Sequence, residues 1–197
     1  MGRAGRAVLA MVGVVLVAVF GFAGTAAAHV TVSPGEAEQG GEAQVSFTVP
    51  TESDTTSTTK VEIVIPTDAP IASVSVQPVP GWTAASTTTK LAQPVTNDDG
   101  VQVTEAVSRV TWTADSAATA IKPGQYQLFN LTVGPLPKTD HVVFKVLQTY
   151  SDGKVVRWIE EQQPGQPEPE NPAPVLKLVP PAAGDGGGSA PAASTPP

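Results

Sequence analysis

Between residues 29 and 179, apolar side chains recur at every second position in short runs, and no stretch keeps a 3.6-residue period over three turns. Such a chain is restricted to sheets. The run 44–49 (QVSFTV) sets Val45, Phe47 and Val49 on one face and Gln44, Ser46 and Thr48 on the other. The run 60–65 (KVEIVI) alternates in the same way and stops at Pro66. Further strands are predicted over 74–79, 81–85, 101–113, 125–133, 141–150, 154–159 and 175–178. Alternation is imperfect within 101–113, which predicts a bulge or bend there. Asn97-Asp98-Asp99-Gly100 and Ser151-Asp152-Gly153 carry hairpin-turn chemistry. About nine strands with no helices between them predict an all-β fold, an antiparallel β-sandwich of cupredoxin-like or immunoglobulin-like type.

The two ends have other compositions. Residues 1–28 read as a secretory signal peptide: Arg3 and Arg6 are basic, 7–23 are apolar, and Ala26-Ala27-Ala28 form a small-residue exit. Cleavage after Ala28 makes His29 the first residue of the mature chain. Cleavage after Ala26 or Ala27 leaves His29 an ordinary exposed residue, and an uncut run is close to the length of a membrane anchor. Residues 163–174 (QPGQPEPENPAP) are expected to run extended over the surface. From Pro180 the sequence is rich in Pro, Gly, Ala and Ser and is expected to be disordered. The expected organisation is therefore a signal peptide over 1–28, one domain over 29–179 and a tail over 180–197 without a C-terminal membrane anchor. The expected location is extracytoplasmic.

Composition narrows the chemistry. The formal net charge is −7, and loss of Arg3 and Arg6 leaves nine basic side chains against 18 acidic ones. That balance argues against nucleic acid as a partner, because phosphate binding needs clustered Lys and Arg. There is no cysteine, and both methionines, Met1 and Met11, lie in the signal segment. A mature chain without sulfur excludes thiolate zinc sites, iron–sulfur clusters and blue copper centres. Any metal must be held by nitrogen and oxygen, and such a site favours Cu(II) among divalent ions.

An N-terminal histidine has a property no internal one shares. Its α-amine and Nδ1 close a six-membered chelate on one metal ion. His29 would fill two equatorial positions of Cu(II) and leave room for a carboxylate and water. Glu52 stands just after Pro50 stops a strand, where a side chain can be aimed outward, although on the residues alone a solvated loop carboxylate is the preferred reading; Asp54 is a less favoured substitute. Alternation puts Trp158 with Val156 on one face of its strand, as a core residue or as a neighbour to a metal. Trp82 and Trp112 read as core. His141 is the only other histidine. With Tyr126 or Tyr150 it matches a two-histidine copper brace on paper, but an exposed residue at a strand start needs no explanation. No phosphate loop, nucleophile elbow or paired-histidine zinc motif is present.

The runs His29-Val30-Thr31-Val32-Ser33-Pro34, Val49-Pro50-Thr51-Glu52, Ser57-Thr58-Thr59-Lys60-Val61 and Gly81-Trp82 resemble the YcnI-like copper-binding domain. Gly134-Pro135-Leu136-Pro137, Val156-Arg157-Trp158-Ile159-Glu160 and Pro172-Ala173-Pro174-Val175-Leu176 continue the likeness in order, so that it covers nearly all of 29–179. The resemblance implies an exported bacterial sandwich domain of copper homeostasis that is not an enzyme. It implies Cu(II) held by a single-histidine brace at the processed N-terminus, with His29 and Glu52 as ligands and Trp158 beside the ion. A copper chaperone or buffer with a copper-transfer partner protein follows. A copper-dependent oxidoreductase and a surface module without a metal role are the alternatives. Many members of that family continue into a C-terminal membrane helix; this chain ends at Pro197, which puts tethering in doubt but not copper binding.

Overall fold

The computed structural model describes residues 29–97 and 99–181, so the signal segment and nearly all of the expected tail lie outside the described residues. Among the described residues there are twelve strands and no helix: β1 (Thr31–Ser33), β2 (Glu36–Glu38), β3 (Ala43–Pro50), β4 (Thr58–Val64), β5 (Ser73–Val76), β6 (Trp82–Thr96), β7 (Gln102–Ala114), β8 (Tyr126–Gly134), β9 (His141–Val143), β10 (Lys145–Tyr150), β11 (Val155–Trp158) and β12 (Val175–Val179). One sheet runs β1-β3-β8-β5, a second β11-β10-β4-β7-β6, and a short third β2-β12-β9. Every pairing is antiparallel except β2 with β12.

The two large sheets face each other across the core that the alternation predicts. Val45, Phe47 and Val49 of β3 and Val61 and Ile63 of β4 are fully buried. Aromatic rings join the layers: Phe129 of β8 packs edge-on against Trp82 of β6 at 5.2 Å and at a tilt of 50° against Trp112 of β7 at 5.1 Å. Both tryptophans are core residues, as expected. Phe47 meets Phe144 edge-on at 5.1 Å. These contacts and the rest of the apolar cluster fall between Val30 and Leu178.

Three differences from the sequence reading have physical causes. The run 141–150 is two strands, because the chain changes sheets at Phe144: β9 pairs with β12, while β10 pairs with β4 and β11. The Phe144 N–H, lost to either ladder, donates to the Pro174 carbonyl at 2.9 Å. Second, β6 is three times the expected length. Its polar run from Thr83 to Lys90 does not alternate in burial, yet it pairs along β7 as a sheet edge. The irregularity expected in 101–113 is there: pairing jumps from Thr87 with Arg109 to Thr88 with Val107, leaving Ser108 extra. Third, β1 and β2 are three-residue strands too short to announce themselves.

Candidate metal centre

β1 pairs with β3 so that Thr31 lies opposite Thr48 and Val32 opposite Phe47. The ladder stops two residues short of His29; the same register carried back to His29 would meet Pro50, where β3 ends. Glu52 follows two residues later. Its carboxylate is exposed, and its backbone N–H donates to the Tyr150 hydroxyl at 3.4 Å. Burial pushes the Tyr150 hydroxyl above its ordinary value of 10.0, so it remains a neutral O–H at this strand end.

His29 packs on Trp158. Their ring centroids are 5.7 Å apart at an interplanar angle of 59°. Trp158 is fully buried, so it is both core residue and neighbour to the N-terminal histidine. It is held by Gln148, which is 0 % exposed. The indole Nε1–H donates to Gln148 Oε1 at 2.9 Å, while Gln148 Nε2 donates to the Pro50 carbonyl at 2.7 Å and to Thr58 Oγ1 at 2.7 Å. An indole can only donate and a carbonyl can only accept, which fixes the orientation of the amide. The chain of bonds continues with a direction. Thr51 Oγ1 donates to the Ile121 carbonyl at 3.1 Å, so across the 2.9 Å contact Thr58 must donate to Thr51. Gln148 thus ties the tryptophan under His29 to the strand end that leads to Glu52.

A carboxylate that sequence reasoning missed also reaches this place. Glu168 Oε1 lies 3.2 Å from His29 Nδ1. His29 to Val32, Glu168 and Pro172 to Val175 line an open cleft of about 280 Å³. The segment that carries Glu168 leaves from just after β11 and closes on itself. Glu160 N–H donates to the Asn171 carbonyl at 3.1 Å, Ala173 N–H donates to the Glu160 carbonyl at 2.8 Å, and Asn171 N–H donates to Glu160 Oε2 at 3.2 Å. Residues 163–174 are therefore not simply extended over the surface, as expected; they form a loop pinned at its base.

The chain from residue 29 to residue 178 matches the family described as "Domain of unknown function (DUF1775)". It belongs to that family. The match spans the same segment as the YcnI-like resemblance and bears it out. A curated relative, the "Copper-binding protein CutI" of Bacillus subtilis (strain 168), is 29% identical over 146 residues, covering 74% of this chain and 62% of its own length. The chain thus spans under two thirds of that relative. A solved Nocardia farcinica protein, described as having an immunoglobulin-like fold, is 43% identical with a TM-score of 0.61, covering 77% of this chain and 98% of its own. The sandwich is of immunoglobulin-like type.

Within this family member, the donors around His29 fit a nitrogen- and oxygen-binding metal. The imidazole and the Glu168 carboxylate are close, both are reachable from an open cleft, and no sulfur is at hand. Among the described residues, no three His, Cys, Asp or Glu side chains gather in one group, so Glu52 is not preassembled with His29 and Glu168. A third donor must therefore come from the main chain or from movement of a side chain. In the 197-residue chain the His29 nitrogen is still an amide; processing would turn it into an amine. His141 lines another cleft, with Asp68, Asp140 and Glu161. It is exposed on β9 opposite Lys177, as the bland reading expects. Gln148 left a partial signal in the sequence, a glutamine in register with the buried Val146 and Tyr150. Glu168 left none beyond lying between two prolines.

Proposed function

We propose that this is an exported Cu(II)-handling protein, a copper chaperone or buffer and not an enzyme, whose site is completed when residues 1–28 are removed. The ligands are the His29 α-amine, His29 Nδ1 and the Glu52 carboxylate, with Trp158 packed beside the ion. Copper is the cargo. The observation that carries this reading is the first residue of the domain lying in an open cleft, its imidazole on a buried tryptophan and next to a carboxylate. The β1–β3 register supports Glu52. A residue two places past Pro50 is about 7 Å along an extended chain, within reach of a flexible glutamate. The copper-binding relative supports the choice of metal.

An open site with few donors suits transfer, since a recipient can add a ligand before the last donor leaves. Without sulfur, Cu(I) is held poorly, so reduction promotes release to a partner protein. Ligand deprotonation, including that of the amine with its ordinary pKa of about 7.7–8.0, makes binding weaken as pH falls.

The test compares Cu(II) affinity and electron paramagnetic resonance for the chain beginning at His29 with the same chain extended by one residue. Extension is expected to abolish a tight, nitrogen-ligated type 2 signal. Equal binding by both would sink the brace. Oxygen- and reductant-dependent turnover lost in His29→Ala would favour an oxidoreductase instead.

A further inference from the structure

We infer that Glu168 is a second carboxylate donor to the same ion, presented to His29 Nδ1 by the pinned 160–173 loop; this rests on the brace reading above. The argument starts from what a metal does to an imidazole. In the metal-free chain, Nδ1 can carry a proton and give it to Glu168, and the 3.2 Å separation is that of such a contact. A six-membered chelate with the α-amine closes only through Nδ1. Once Nδ1 holds the ion it has no proton to give, and Glu168 can no longer serve as its acceptor. The carboxylate must then withdraw into solvent or bind the ion itself.

Distance and chain geometry favour binding. Nitrogen and oxygen donors sit about 2.0–2.2 Å from a divalent ion of this kind, so two of them at right angles stand about 2.8–3.1 Å apart. The observed 3.2 Å needs only a small rotation to meet that spacing. An isolated surface pair of this sort is ordinarily worth almost nothing, because two long side chains must be frozen to make it. Here the backbone part of that freezing is already done. Glu168 stands between Pro167 and Pro169, which restrict the chain on both sides. The loop is closed at its base by the two backbone bonds between Glu160 and Asn171–Ala173. Its turn is gathered by Gln162 Nε2, which donates to the carbonyls of Gln163 at 3.0 Å and Gln166 at 2.8 Å. The side chain is 67% exposed, so it gives up little protein contact on turning to the ion.

The experiment uses the chain from His29 to Pro197, which contains every strand and the apolar cluster found among the described residues, with Cu(II) alone as the probe. Glu168→Gln keeps size and shape but removes the anionic donor. A residue that merely supports a ligand is worth about 10–100-fold in metal affinity, so loss of a direct donor should weaken Cu(II) binding at least about tenfold. The paramagnetic spectrum should shift toward fewer oxygen donors, and Glu168→Asp should recover part of both. The metal-free melting temperature should not move, because the Glu168 side chain is exposed. Unchanged affinity and spectrum in Glu168→Gln would reduce Glu168 to a solvated surface acid. Tighter binding would make it a competitor for the imidazole, and either result overturns the proposal. If the unsubstituted chain binds no better than its N-terminally extended form, the brace has failed, and that outcome is separate from both.

Discussion

Gln148 should be the most costly single polar residue to lose, and the cost can be worked from its bonds. Replacing it with leucine fills the space but removes one acceptor and two donors. The Trp158 indole N–H is then left in the core without a partner, and the Pro50 carbonyl at its half-buried strand end loses its side-chain donor, while the Thr58 hydroxyl keeps its bond to Thr51. The orphaned buried indole N–H costs about 1–3 kcal/mol and the half-buried carbonyl adds less, so Gln148→Leu should destabilise by on the order of 2–4 kcal/mol. A domain of this size has about 5–15 kcal/mol in total and loses roughly 2–4 °C of melting temperature per kcal/mol. A fall of about 6–12 °C is the central expectation. Denaturant titration of Gln148→Leu, Trp158→Phe and the pair tests the mechanism. Since Trp158→Phe removes the very N–H that Gln148→Leu orphans, the double variant should be less destabilised than the sum, by about 1 kcal/mol or more. Additivity within about 0.5 kcal/mol, or a single-variant cost below about 1 kcal/mol, would refute the reasoning.

Glu62 on β4 accepts from Arg109 at 2.7 Å and pairs with Lys60 at 2.9 Å. Burial raises its pKa, but the two cations outweigh burial and hold it below the ordinary 4.5. Its folded value lies below its unfolded one, so its stabilisation is complete above pH of about 4.5 and fades as pH falls through the folded value. Glu62→Gln should therefore be less stable than the native chain at pH 7, with a gap that narrows as pH falls below about 4.5; a pH-independent gap would contradict this. Gly81, before β6, has φ +77°, and a Cβ built there would collide with the Thr119 side chain. Gly81→Ala should cost roughly 1–3 kcal/mol in urea denaturation, and a neutral effect would show that the turn relaxes freely.

What the sequence reveals and what it hides follow one physical division. Alternation is a property of neighbouring residues, so strands with one buried face, such as β3 and β4, are legible at once. The polar stretch of β6 is not. Most of its residues are exposed, and only the ladder to β7 makes it a strand. The site divides in the same way. His29 is legible because the signal grammar ends on it, and Trp158 because its strand buries one face. Glu168 becomes a neighbour of His29 only through the closed 160–173 loop, with 138 residues between them in the chain. Gln148 lies between these cases. Its burial register can be read, but its partners Pro50 and Thr58 come from 98 and 90 residues away.

This division bears on when a site of this kind can exist. Its proposed donors come from the first residue of the domain, the end of β3 and a loop near the C-terminal strand. An unfolded chain holds none of them together, so binding free energy is partly folding free energy, and Cu(II) should raise the stability of the processed chain. Before processing, the His29 nitrogen is an amide and the chelate is incomplete even in a folded domain. Two independent events are then required, peptide-bond cleavage and closure of the sandwich. The buried part of the site, Trp158 held by Gln148, is rigid before either ligand arrives, whereas the carboxylates Glu52 and Glu168 are exposed and able to turn. A fixed apolar floor with adjustable anionic donors above it suits an ion that must be captured and then given up. A closed, fully preorganised cage would hold Cu(II) more tightly and release it more slowly.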